Sequence, residues 1–299
     1  MSAESEAATI AAERSRSITK AVLWMVGALV SFSLMAIAGR EATKVLPTME
    51  VMLWRSVFGA IVLYGVVLYN GLALTDMRSE KMGLHVLRAV VHFGAQYAWL
   101  YALLLIPLAE LFALEFTAPL WVAVLAPLIL GERLTFPRIV AALIGFAGAI
   151  IVVRPSGAGL SLGSSLALLS AIGFASAMMA TKALTRTDGT MKILFWMNVL
   201  QTVIGLAANY RGLHMPTGAA WGWLSIVCIV GLTAHFALAQ AFKHADAIIV
   251  APMDFMRVPL IAVVGAYFYS EPLQLFVLLG GALVLAGNAI NVWAEKRRR

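Results

Sequence analysis

"VAPMDFMRVPLIAVVGAYFY" (residues 250–269) is an apolar run that a lipid bilayer would accept except for four residues. Asp254 and Arg257 are charged, and Pro252 and Pro259 lack the backbone N–H that a helix interior uses. A charge at the bilayer centre costs about 2.5 kcal/mol or more. Carbonyls freed by proline are tolerated at that depth only where protein or a wet cavity satisfies them. The stretch therefore reads as one wall of a polar chamber inside a membrane protein, with Asp254 and Arg257 three apart on one helix face.

The rest of the chain agrees. Of 299 residues, 62% are apolar and 12% charged, against about 25% charged in a soluble globular protein. The net charge of +7 does not point to nucleic acid, because the bases sit in short connectors and in the C-terminal "KRRR". One cysteine, Cys228, lies in an apolar run and excludes an intramolecular disulfide. Residues 1–20 are polar, lack a signal-peptide pattern, and read as a disordered cytoplasmic tail.

A crossing helix needs about 20 apolar residues. That length predicts ten spans: 21–38, 49–69, 84–105, 108–130, 138–153, 160–180, 191–208, 219–241, 247–269 and 273–293. Fifteen Lys and Arg fall on the side of the N-terminus and four on the other, which places both termini in the cytoplasm.

The chain also repeats itself. At an offset of 139, Ala102 meets Ala241, Glu115 meets Asp254, Phe116 meets Phe255, Glu132 meets Glu271 and Gly148 meets Gly287. At 142, Phe32 meets Phe174, Arg40 meets Lys182 and Trp54 meets Trp196. Each half then holds five spans, an odd number, so the second half enters the membrane upside down. That is the inverted-repeat plan of secondary transporters, with a substrate site near the midplane.

"LPTMEVMLWRSVFGAIVL" (46–63), "LILGERLTFPRIVAALIGFAGAIIVVRP" (128–155) and, more faintly, "YSEPLQLFVLLGGALVLAGNAI" (269–290) resemble the EamA-type repeats of the drug/metabolite transporter superfamily. The resemblance covers residues 20–293 and implies an all-α integral membrane fold. It implies ten helices in two inverted five-helix halves, about 21–155 and 156–293, around a central cavity. A tail at 1–20 and a basic end at 294–299 would flank them. It implies export of amino acids or other metabolites through a bacterial inner membrane.

Candidate chamber residues follow from the two halves. Glu115 and Pro119 in the fourth span repeat the Asp254 device. In the third span Arg88, His92, Gln96 and Trp99 project from one face. His235 matches Gln96 or, after a one-turn slip, His92. Each histidine suits either a proton relay or a neutral hydrogen bond between helices. Arg88 suits snorkelling to headgroups. Arg55 calls for an acid, Glu50 or Glu115. Trp54, Trp99, Trp196 and Phe255 supply aromatic surface deep enough to face a solute. Ala141, Gly145, Ala149, Ala282 and Ala286 mark close packing of the fifth and tenth spans. Glu132 and Glu271 precede the next span, where a carboxylate favours the positive helix end.

No phosphate-cradling glycine loop, His-Glu-x-x-His or Cys/His metal spacing is present. The expected protein is therefore a carrier rather than an enzyme. It needs no cofactor, works as a monomer or homodimer among membrane lipids, and has a proton or solute gradient as its energy source. Its small-molecule substrate would be an apolar or aromatic amino acid, the amino group on Glu115 and Asp254, the carboxylate on Arg257. Uptake or exchange of a nucleoside-like or sulfonium metabolite, an intramembrane enzyme using His92 and Glu115, and a passive channel are the rival readings.

Overall fold

The computed structural model describes residues 3–130, 136–153, 160–184, 186–244 and 256–296. Within them the chain is helical, without strands. The helices are α1 (Ala3–Val45), α2 (Thr48–Tyr69), α3 (Met82–Leu105), α4 (Leu108–Glu115), α5 (Ala118–Leu130), α6 (Phe136–Val153), α7 (Leu162–Leu184), α8 (Thr190–Ala208), α9 (Ala219–His244), α10 (Arg257–Tyr269) and α11 (Leu275–Lys296). Among the described residues four stretches are long and apolar enough to cross a membrane: Thr19–Val45, Thr48–Tyr69, Leu162–Thr181 and Met191–Ala208. Leu23, Ile61, Leu143 and Val263 stand more than 60% exposed. Water would penalise such a surface and hydrocarbon does not.

Three elements differ from expectation. The N-terminal segment is helical from Ala3 rather than disordered. Its Ala, Glu, Arg and Lys are strong helix formers with no Gly or Pro among them, so the first span's helix propagates backward. At its other end α1 continues to Val45, until Pro47 disfavours helix in the residue before it. The fourth span is two helices. Pro119 has no N–H for the Glu115 carbonyl, and the chain breaks at Phe116–Thr117. There Leu120 N and Trp121 N donate to Thr117 O at 2.9 and 3.1 Å. The buried Asn288 side chain on α11 donates to Phe116 O at 2.7 Å.

Helices from the two parts of the chain pair across it. α1 packs on α9, α3 on α7, α2 on α8, α4 on α10 and α6 on α11. The starts of α5 and α10, Ala118 and Arg257, stand at the same 139-residue offset as the sequence matches. The central core joins Leu103, Leu108, Leu111, Phe112 and Leu114 to Trp99 and Val284.

The α6–α11 contact uses glycine more than alanine. A Cβ on Gly148 would lie 2.5 Å from Gly280 O, and one on Gly287 would lie 2.6 Å from Ala141 O. Ala282 and Ala286, expected in this seam, are exposed instead. Gly280 and Gly287 are two turns apart and so share the packed face, which the alanines do not.

Candidate functional site

Glu115 is the last residue of α4 and Arg257 the first of α10. Their side chains pair, with Arg257 Nη1 3.6 Å from Glu115 Oε1. Each stands at a helix end of its own sign: an acid where carbonyls accumulate, a base where N–H groups do. The helix dipoles therefore oppose both charges, and mutual pairing offsets that opposition. The Arg257 guanidinium also lies over three rings, at 4.4 Å from Phe32, 5.2 Å from Phe116 and 5.6 Å from Phe112. Trp99 Nε1 donates to Glu115 Oε2 at 2.7 Å. Asp254, Phe255 and Pro252 lie outside the described residues.

A second polar group runs along the predicted α3 face. Arg55 Nη2 donates to Gln96 Oε1 and lies 3.5 Å from Gln201 Oε1. The Gln201 amide N–H donates to His92 Nδ1 at 3.0 Å, which leaves the neutral ring's proton on Nε2. This contact is the kind expected of His92 as a neutral hydrogen-bonding group between helices. Phe174 closes the group, its ring 5.7 Å from His92. Arg55 thus meets amide oxygens instead of an acid. Glu50 is held by His214 Nδ1 at 2.7 Å, and Glu115 by Trp99 and Arg257. Arg55 Nε of this group is buried without an acceptor among the described residues, and so is Nε1 of the neighbouring Trp54.

Trp54 packs on Trp221 with centroids 5.6 Å apart. Trp196 sits elsewhere: its Nε1 donates to Met77 O at 2.6 Å, in a separate cluster with Leu63, Val67 and Phe195. His235 belongs to α9, and its side chain lies outside the described residues. Arg88 does not snorkel; it is 7% exposed and donates to Thr181 Oγ1 at 2.6 Å. Gln201, fully buried, has no counterpart in the repeat matches, because position 59 at offset 142 is glycine. A lone amide in an otherwise apolar span is the sequence signal that could have found it.

Both ends of the bundle carry ties. Arg40 donates to Leu103 O and Ile106 O at 2.7 and 2.8 Å and pairs with Glu271. Glu271 Oε2 accepts from Leu108 N, so it caps α4 and not the helix that follows it. At the opposite end of α3, His85 Nε2 lies 2.8 Å from Asp188, which also accepts from Ser79. Lys192 Nζ is 3.5 Å from the same carboxylate. Burial pushes the Asp188 carboxyl up, but the Ser79 and His85 hydrogen bonds and the Lys192 charge bring it below its ordinary value.

Residues 19–154 and 161–293 each match the EamA-like transporter family. The chain belongs to that family. Among its curated relatives is a riboflavin transporter of Rhizobium johnstonii, 31% identical over 97% of this chain and 96% of its own. A pseudopaline exporter of Pseudomonas aeruginosa is 31% identical over 88% of this chain and 93% of its own. An S-adenosylmethionine uptake transporter of Rickettsia felis is 24% identical over 92% of each. A crystal structure 18% identical superposes with a TM-score of 0.63 over 94% of this chain and 99% of that one, sharing the fold. This EamA-like chain is therefore a membrane transporter by family. These relatives are named for riboflavin, pseudopaline and S-adenosylmethionine, and none of the three is named as an amino-acid exporter.

Proposed function

We propose that the protein carries a small ring-bearing metabolite across the bacterial inner membrane, with riboflavin as the first candidate solute. The observation that carries this is the pair of buried donors without acceptors, Trp54 Nε1 and Arg55 Nε, beside the Arg55–Gln96–Gln201–His92 group. Such donors suit carbonyl oxygens on the edge of a flat ring, and Phe174 beside His92 supplies aromatic surface next to that group. Glu115 and Arg257 already neutralise each other. A zwitterionic amino acid would have to break that pair to use both charges, which disfavours the amino-acid reading. The near-complete coverage of the riboflavin transporter points the same way.

The mechanism we infer is alternating access by two inverted five-helix halves, about 21–155 and 156–293, with ten crossings and both termini cytoplasmic. Support comes from the cross-chain helix pairs, the helix starts at Ala118 and Arg257, the two family matches and the basic connectors. The Glu115–Arg257 pair joins the end of α4 to the start of α10 and is opposed by both helix dipoles, so it is suited to separating as the halves rock.

Counterflow in proteoliposomes tests the reading. Vesicles preloaded with riboflavin should accumulate labelled riboflavin saturably. Counterflow of labelled tryptophan or phenylalanine with no riboflavin exchange would restore the amino-acid reading. A flux linear in concentration would sink any carrier.

A further inference from the structure

Arg40, Arg55, Arg88 and Arg257 all lie within the helical bundle, and two of them, Arg40 and Arg257, face a carboxylate. Arg40 has Glu271 and two carbonyls, Arg257 has Glu115 and three rings, and Arg55 has two amide oxygens. Arg88 has Thr181 alone among the described residues. Its Nη1 is buried with no partner. The Thr181 hydroxyl is itself donated to Ala177 O at 2.7 Å, so it brings no charge. Asp188, the acid at this end of α3, is already occupied by His85, Ser79 and Lys192.

A guanidinium stays charged at any physiological pH. A buried charge lacking its counter-ion is the costliest state such a group can adopt. The repeat adds an independent reason to look outside the framework for a partner. At offset 139 Arg88 corresponds to Val227, a buried apolar residue, so the second half has no such cation. Arg40, by contrast, meets a lysine at its own offset of 142.

We propose that Arg88 is the receiving group of an oxyanion site, taking a carboxylate or phosphate on its Nη edge, one turn inside the His85–Asp188 tie and one turn before His92. Two oxygens side by side match that edge. The site lies between the cytoplasmic end of α3 and the Arg55–Gln96–Gln201–His92 group, an assignment of side that rests on the proposed topology. The occupant comes from the cytosol as a free or solute-borne oxyanion, or from the membrane as a lipid headgroup phosphate.

The probe is inorganic phosphate, read by thermal unfolding of the full-length protein at constant ionic strength, with chloride as the control. In detergent, phosphate should raise the wild-type midpoint in a saturable way. Thr181→Val, which keeps the guanidinium, should retain the shift, and Arg88→Lys should reduce it. Arg88→Gln should abolish it. A wild-type midpoint indifferent to phosphate overturns the site, as does a shift of wild-type size in Arg88→Gln or, should that variant not fold, in Arg88→Lys. Nanodiscs assign the occupant. A shift preserved in phosphatidylglycerol and phosphatidylcholine discs supports a cytosolic oxyanion, whereas its loss in discs and survival in detergent supports a lipid headgroup phosphate. Binding is read without transport, so failure of the riboflavin reading leaves this result intact.

Discussion

Glu271 Oε2 lies 2.8 Å from the Leu108 backbone N–H, so a carboxylate preceding α11 caps the start of α4, more than 160 residues away in sequence. Its other oxygen holds Arg40, which in turn binds the carbonyls that end α3. One acid thus gathers four helices at one end of the bundle. Glu271→Gln should leave Arg40 buried without its counter-charge and lower stability by about 3 kcal/mol. Changing Arg40→Met as well should cost less than the sum of the two single changes. A double-mutant cycle on unfolding midpoints in detergent checks this, and strict additivity would mean the pair does not interact.

Trp99 holds Glu115 by one hydrogen bond. Trp99→Phe keeps the ring and removes the donor, with an expected stability loss of about 1 kcal/mol. The larger effect should be on transport, because Glu115 would lose its fixed orientation toward Arg257. Initial counterflow rates should fall several-fold in Trp99→Phe and further in Glu115→Gln, while Trp196→Phe, which alters a distant cluster, should leave them near wild type.

Gly148 and Gly94 are both helical glycines with opposite surroundings. A side chain at 148 would strike Gly280 and Val284 backbone atoms, whereas nothing lies within 4 Å of a Cβ at 94. Gly148→Leu should therefore separate α6 from α11 and abolish monodisperse protein in size-exclusion profiles. Gly94→Ala should raise stability by up to about 1 kcal/mol, since alanine is the better helix former.

Asp188 supplies a pH dependence. Its carboxyl lies below its ordinary value in the folded protein, despite burial, because of Ser79, His85 and Lys192. Its stabilisation is then complete above the unfolded value of about 4 and fades as pH falls through the folded one. Unfolding midpoints measured between pH 7 and pH 3 should decline on the acid side in wild type. Asp188→Asn should start lower and show a shallower decline, and an unchanged slope would remove Asp188 from the linkage.

The helical class, the face of α3 and the 139-residue period were legible from residue types, because bilayer length and helical spacing leave few alternatives. Contacts between distant helices were not. Arg55 had acids as its natural partners on charge grounds, yet packing brought Gln96 and Gln201 to it. Glu271 looked like a cap for the helix it precedes, and only the three-dimensional arrangement shows it reaching Leu108. Trp196 was indistinguishable by sequence from Trp54, since both lie at matched positions of apolar spans, but it packs on the connector at Met77. The glycine seam was half visible: Gly145 stood out, while Gly280 and Gly287 gained meaning once α6 and α11 were side by side.

The first helix spans 43 residues without a break, about 65 Å at 1.5 Å per residue. A bilayer's hydrocarbon layer is about 30 Å thick. The rod therefore projects well past the lipid on its amino-terminal side, rigidly joined to the segment that bears Phe32 and Arg40. Any tilt of that segment during a transport cycle would be magnified at the projecting tip. A fluorophore fixed there would act as a pointer, turning motions of a few ångströms near Arg257 into displacements large enough to follow on single molecules.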